Sequence, residues 1–371
     1  MIDVVHVTTG LDLGGAEVLL ADLVTRSDQS SFRHRVVSLL PDGVVRRRLE
    51  HAGIPVTDLG MRHARPSLSA LLQLRRIVRD ARPALVHAWM YHACFAAALT
   101  RPRRMLWGLH AANLDLSRYP LSTTLATAAC RMLSRVPHAI VVNSATTRDY
   151  HRDRGYKPRQ WELIPNGIDT DAFRPDAGRR RDIRASLGMA EGTWLIGFIA
   201  RRDPQKDHVT FLRAAARLTE RKPDVQFLLA GLGTDDALMR DLVRRYAPRS
   251  TIHLLGIRND VAAVTTALDV ATMCSFGESF SNAVVEAMAC GVPCVVSNVP
   301  PLPELVGQTG AVVAPEDPDA LAGAWAALLD TDPAERRNRG ETARRRVSTQ
   351  FSVRAMVNRF EALYRTVDNG H

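Results

Sequence analysis

Two glutamates eight positions apart, Glu278 and Glu286, stand in the stretch 276–298, FGESFSNAVVEAMACGVPCVVSN. Within 283–290 the only polar residue is Glu286. A helix apolar on nearly every face is a buried helix, and a lone buried carboxylate is costly unless something hydrogen-bonds to it. An internal Arg would satisfy it, and so would the hydroxyl groups of a ligand. A second reactive run is Arg201-Arg202-Asp203-Pro204-Gln205-Lys206. Fixed cations beside the free amides of a helix start are what a pyrophosphate needs, and Arg can bind one bidentately. Ordinary loop charges are the plainer reading of that run. Gly14-Gly15, ahead of a helical pattern, either opens helix-start amides to a phosphate or merely permits a tight turn. His87, His92 and His110 lie at the ends of apolar runs without HxxxH or HExxH spacing, so they read as packed side chains or as members of a site, not as metal ligands.

Strand ends and helix starts are needed to position these groups. Residues 277–280 read as a loop, Ser281 as an N-cap, Gly291 with Pro293 as the helix stop, and 294–296 as a buried strand. Apolar runs at 4–9, 35–40, 84–88, 105–109 and 140–143 alternate with helical patterns at 16–24, 67–81 and 93–99. A second series places strands at 195–200, 225–231, 252–256 and 270–274 around helices at 207–221 and 235–246. Such alternation predicts α/β domains with parallel sheets, helices on both faces and ligands at the carboxyl ends of the strands. Neither the turn at 10–15 nor Gly231-Leu232-Gly233 matches GxGxxG, so a dinucleotide fingerprint is not supported. The polar segment 170–181, with Pro175 and Gly178, marks a domain boundary. The predicted organisation is a first domain over 1–172, a second over 173–352 with a cleft between them, and a C-terminal helix within 353–371 that packs back toward the first domain.

At 371 residues the chain suits two domains of roughly 150 to 200 residues each. With 46% hydrophobic and 24% charged residues it has the composition of a soluble globular protein. Lys and Arg number 49 against 39 Asp and Glu, and the net charge of +10 points to an anionic partner: nucleotide phosphates, anionic lipid headgroups or nucleic acid. The five cysteines, odd in number and without a CxxC pair, read as reduced, mostly buried thiols of a cytosolic protein. No signal-peptide pattern opens the chain, and no run approaches the roughly 20 apolar residues of a membrane span. Arg75, Arg79 and Arg82 share a face of the helix at 67–81, with further basic runs at 46–48 and 101–104. They form either a solvated face or a patch that meets anionic headgroups.

Six segments taken together resemble the retaining nucleotide-sugar glycosyltransferases of the GT-B class called group 1, or family 4. They are LDLGGAE near the start, WMYHA at 89–93, WGLH at 107–110, IPNGID at 164–169, ARRDPQK at 200–206 and ESFSNAVVEAMACGVP at 278–293. They occur in the family's order across nearly the whole chain. The resemblance implies two Rossmann-like domains, the first for the acceptor and the second for the nucleotide-sugar donor. It places Glu286, the second Glu of the E-x7-E motif, on the ribose hydroxyls and Glu278 on the transferred sugar. Arg201 and Lys206 fall on the donor pyrophosphate, with Phe280, Ser281 and Asn282 beside them, and His110 falls near the transferred sugar. Gly14, Gly15 and His92 fall on the acceptor or phosphate side. One departure is Ala200, where many relatives have Gly.

The function implied is transfer of a sugar with retention, from a UDP-sugar first and GDP-mannose second, to a hydroxyl acceptor such as a lipid-linked or surface-polysaccharide glycan. No cofactor and no metal are expected. The DxD strings at 169–171 and 330–332 fall in turns or connectors and read as coincidence. A cytoplasmic enzyme in contact with the inner face of an anionic membrane, without nucleic acid as a partner, is the expectation. The alternatives are a UDP-GlcNAc-type epimerase of the same fold and, in a different class, a basic nucleic-acid-binding protein. Against the latter, the basic residues are scattered and no nucleic-acid module is visible.

Overall fold

A computed structural model describes residues 1–12, 14–61, 67–112, 119–190 and 192–370. The chain divides into unit 1, Met1–Gly167 with Val353–His371, and unit 2, Ile168–Ser352.

Unit 1 begins with β1 (Ile2–Thr8), α1 (Gly15–Arg26), β2 (Phe32–Ser38), α2 (Val44–His51), β3 (Val56–Asp58) and α3 (Leu68–Ala81). It continues with β4 (Leu85–Trp89), α4 (Met90–Thr100), β5 (Met105–Gly108), α5 (Leu121–Met132), β6 (Ala139–Val142), α6 (Ala145–Asp153) and β7 (Trp161–Leu163). The seven strands are parallel, in the order β3-β2-β1-β4-β5-β6-β7. Strands such as β4 and β6 are buried along their whole length because helices cover both faces of the sheet. Leu20 of α1 and Leu49 of α2 pack in the core on one face, and Leu74, Cys94 and Cys130 of α3, α4 and α5 in the core on the other.

Unit 2 holds α7 (Ala177–Ser186), β8 (Trp194–Ile199), α8 (His208–Arg221), β9 (Val225–Ala230), α9 (Ala237–Tyr246), β10 (Ile252–Leu254) and α10 (Val261–Ala267). Then come β11 (Val270–Met273), α11 (Asn282–Ala289), β12 (Cys294–Ser297), α12 (Leu302–Val306), β13 (Ala311–Val313), α13 (Pro318–Asp330) and α14 (Pro333–Gln350). Its sheet is also parallel, in the order β10-β9-β8-β11-β12-β13. Asp207, Asp236 and Asp317 cap α8, α9 and α13 by accepting from backbone amides.

The last helix, α15 (Val353–Asp368), belongs to unit 1, where Phe360 and Tyr364 are buried and the Tyr364 hydroxyl lies 2.8 Å from His87 Nδ1. The change of unit falls at Gly167–Ile168, not at 172–173. Residues 177–181, read as linker, instead open α7, which Asp176 caps. The reason is charge: Arg180 and Arg184 of α7 both bind the carboxylate of Asp269 and neighbouring carbonyls, so polar contacts hold a helix that has no apolar stripe. The basic run at 46–48 lies likewise inside α2, anchored by buried Val45 and Leu49.

Candidate functional site

Both sheets reverse their strand order, unit 2 between β8 and β11 and unit 1 between β1 and β4. Open parallel sheets bind ligands beyond the carboxyl ends of the strands at such switch points. In unit 2 the loop after β8 carries Arg201 to Lys206, and the loop after β11 leads to Glu278 and α11. The two loops are tied together. Phe276 donates its amide to the Gln205 carbonyl at 2.9 Å, and the Cys274 thiol lies 3.4 Å from the Asp207 carbonyl.

Lys206 Nζ forms an ion pair with Glu278 Oε1, and the Ser275 hydroxyl donates to the same oxygen at 2.8 Å. Lys206 closes a 3-10 turn that Asp203 caps by accepting from the Gln205 amide at 2.9 Å. Arg201 is exposed, with Nη2 3.3 Å from Asp203 Oδ2. Its neighbour Arg202 turns the other way, onto the Gly233 carbonyl at 3.1 Å and the Asp236 carboxylate at 3.1 Å. Gly231 has φ +135, and a Cβ there would lie 2.4 Å from the Ala200 carbonyl oxygen, so only glycine lets the two loops meet.

Glu286 lies in the middle of α11 and is half-buried. Burial raises its carboxyl to about 7. Among the described residues no side chain bonds to that carboxylate, so the internal Arg that would have explained it is not there. Ser281 stands at the N-cap position but its hydroxyl makes no capping bond. The Phe280 ring is buried, 5.9 Å from Phe351 edge-on, which leaves its backbone as what it can offer a ligand. Asn282 is the first residue of α11.

In unit 1, Gly14 is the N-cap of α1 and Gly15 its first residue. The Glu17 carboxylate folds back so closely that a Cβ on Gly14 would lie 2.2 Å from Oε2. Burial raises the Glu17 carboxyl above its ordinary range, and Asp12 adds to the effect. A cavity of about 490 Å³ opens beside this turn, lined by residues that include Asp12, Asp42 and Arg47. His92 is half-buried in the first turn of α4, and burial lowers its pKa. That helix starts at Met90 with φ +67, a conformation a non-glycine residue holds only where its surroundings enforce it. His110 follows β5 and stacks on Trp89 with ring centroids 5.3 Å apart. Both its ring nitrogens are buried without a partner among the described residues, and burial together with His151 lowers its pKa to about 4. His110 is therefore neutral at pH 7. His87 belongs instead to a buried chain that includes Tyr364, with His6 and His34 paired at 2.9 Å alongside.

Sequence reasoning missed Ser275 and Asp203, which position Glu278, Arg201 and the Lys206 turn, and Trp89, which backs His110. Asp203 ahead of Pro204 carries a helix-cap signature that could have marked it. Nothing in the spacing pairs Ser275 with Glu278 across a loop. Among the described residues no group of three or more His, Cys, Asp or Glu is arranged to hold a metal ion, and no helix is long and apolar enough to cross a membrane.

Two parallel Rossmann-like sheets with these strand orders make the fold that of the GT-B glycosyltransferases. HepE from Anabaena, solved with UDP, superposes with a TM-score of 0.84 at 22% identity, over 98% of this chain and 100% of that one. Residues 13–172 match the family model Glycosyltransferase Family 4, and residues 179–346 match Glycosyl transferases group 1, so each unit carries a glycosyltransferase domain. The chain is 31% identical to the MMP alpha-(1->4)-mannosyltransferase of Mycolicibacterium hassiacum over 63% of its own length and 55% of the relative's. It is 35% identical to the D-inositol 3-phosphate glycosyltransferase of Mycolicibacterium vanbaalenii over 48% and 42%. The matched region thus spans about half the length of these curated relatives.

Proposed function

We propose that the chain transfers a sugar from a nucleoside-diphosphate donor to a hydroxyl acceptor, with retention and without a metal ion. The observation that carries this reading is the unit 2 switch point, where a half-buried carboxylate with no side-chain partner among the described residues, Glu286, accompanies the cations Arg201 and Lys206. A ribose diol supplies the two donors that Glu286 lacks. Cleavage of the sugar–phosphate bond leaves negative charge on the departing diphosphate, and Arg201 and Lys206 answer it. A preplaced donor of this kind contributes roughly 2 to 4 kcal/mol in the transition state. Lys206 is already held by Glu278, so a bound diphosphate shares the ammonium with that carboxylate, and Glu278 sets where the charge sits. Ser281 and Asn282 offer the start of α11 to the donor, and Phe280 its backbone.

Unit 1 supplies the acceptor side, with Gly14, Gly15 and His92 near it and neutral His110 able to hydrogen-bond a sugar hydroxyl without adding charge. UDP-sugars are the first expectation and GDP-mannose the second. The UDP-bound HepE structure supports the former and the mannosyltransferase relative supports hexose transfer. A lipid-linked or surface-polysaccharide glycan is the acceptor class we favour. Labelled UDP- and GDP-sugars incubated with hydroxyl acceptors in the presence of EDTA test this reading. Transfer with the donor's anomeric configuration kept is expected; an epimerised donor with no transfer would replace it with the epimerase.

A further inference from the structure

Helix α5 has two apolar faces and the core of unit 1 uses one of them. Ala126 and Cys130 point inward. On the other side Leu121, Leu125 and Met132 are 72%, 61% and 80% exposed, with half-buried Ala128 between them. Steps of four, three and four residues put these side chains on one outward stripe. Scattered exposed leucines are ordinary, but a continuous stripe of large apolar side chains marks an interaction surface. The stripe has neighbours of its own kind. Helices α3, α4 and α5 lie side by side over the same face of the sheet. Leu68, in the first turn of α3, is 73% exposed. Helices that connect parallel strands all run back against them, so the starts of α3 and α5 share one edge of the layer and their ends share the other.

At the ends of these helices stand arginines. Arg82, Arg101, Arg103, Arg131 and Arg135 are all exposed, and among the described residues none is in an ion pair. Residues 81–148 contain eight arginines and a single acidic residue, Asp115. This local imbalance accounts for much of the net charge of +10. Some surface arginines elsewhere in the chain do have carboxylates beside them, as Arg33 has Asp3 and Arg258 has Asp260.

We propose that the outer face of α5, with the exposed arginines at the ends of α3, α4 and α5, docks on a bilayer surface containing anionic lipids. Leucine and methionine enter the boundary between headgroups and acyl chains, and the arginines meet the phosphates. Charge complementarity selects this occupant over a second copy of the chain, whose identical face would bring the same arginines together. The proposal does not depend on the glycosyltransferase reading.

Flotation of the full chain with vesicles tests the proposal. Binding is expected on phosphatidylglycerol–phosphatidylcholine vesicles at low salt, falling steeply with added NaCl, and at least tenfold weaker on pure phosphatidylcholine. The triple variant Leu121→Ser, Leu125→Ser, Met132→Ser and the double variant Arg131→Glu, Arg135→Glu are each expected to lose at least tenfold of the bound fraction. Leu125→Trp keeps the stripe apolar, so its added emission shifts to the blue with anionic vesicles even where the serine variant fails to fold. A chain that stays unbound on anionic vesicles would overturn the proposal. So would serine variants that fold and bind as tightly as the parent, or a Leu125→Trp emission that vesicles leave unmoved. A dimer in sedimentation velocity that the serine variant abolishes, without vesicle binding, would assign the face to a second copy instead.

Discussion

Unit 1 and unit 2 reverse strand order between the same two strands of their sheets, yet the side chains brought there differ in kind. Unit 2 gathers ionisable groups: the Lys206–Glu278 pair, exposed Arg201, and Glu286, whose carboxylate bonds to no side chain among the described residues. Unit 1 gathers glycines and an imidazole that burial keeps neutral, with His110 at about 4. One backbone plan therefore serves two chemistries. On the proposed reading, the charged site suits a diphosphate and the neutral, hydrogen-bonding one suits hydroxyl groups. The fold dictates where a ligand can sit, and the residues at the loop ends decide which ligand.

The sharpest way to break this contrast is to remove the cations from unit 2. Arg201→Ala combined with Lys206→Ala is expected to lower turnover more than about 10³-fold, since one preplaced charge donor is worth about 10²- to 10³-fold. A loss of less than tenfold in labelled-donor assays would show that the diphosphate is held elsewhere. Next comes His110→Ala, with turnover down about 10²-fold, within the usual range for a positioned proton-handling group, and donor affinity changed by less than about threefold. Parent-like turnover would make His110 a packing residue of the Trp89 stack.

Smaller still is Glu286→Gln, expected to weaken nucleoside-diphosphate binding about tenfold, or about 1.4 kcal/mol. The carboxyl sits at about 7, so its ionised, accepting form is lost as pH falls from 8 to 6. Affinity in the parent should fall over that window, and the Gln variant should show a flat profile by calorimetry.

The last prediction concerns stability. Folded His34, His110 and His151 are held at about 4, so an unfolded chain takes up protons near 6.5 that the fold refuses. Stability of unit 1 is complete above about 6.5 and declines as pH falls toward 4. In unit 2, Glu286 acts in the opposite sense. Its folded value of about 7 exceeds the unfolded one, so the fold gains stability as pH drops through that range. His208 of unit 2 is also held at about 4 and offsets Glu286, whereas unit 1 has three such histidines, so hydrogen exchange should show unit 1 losing more protection than unit 2 between pH 7 and pH 5. The reverse order would contradict the assignment.

Much of this architecture was legible in the residues, because parallel strands buried on both faces leave continuous apolar runs such as 195–200. The short strands β3 and β13 were not, since three residues without a long apolar run beside them carry no period. Helix α5 escaped because apolar residues on both faces blur a helical stripe, and that doubling is what the docking surface consists of. Glu286 was legible as a lone carboxylate in an apolar helix, whereas the absence of an internal Arg partner among the described residues required coordinates. The Lys206–Glu278 pair joins residues 72 positions apart and no local pattern announces it.

The central claim is that unit 2 binds a nucleoside diphosphate through Glu286 and the Arg201–Lys206 loop. Thermal-shift titration with UDP, GDP and their sugar conjugates tests it directly, because a ligand specific to the folded state raises its melting temperature. At least one of them should raise the midpoint in the parent, and by much less in Glu286→Gln and in the Arg201→Ala, Lys206→Ala pair. No shift with any diphosphate, or an equal shift in folded variants, would contradict the account.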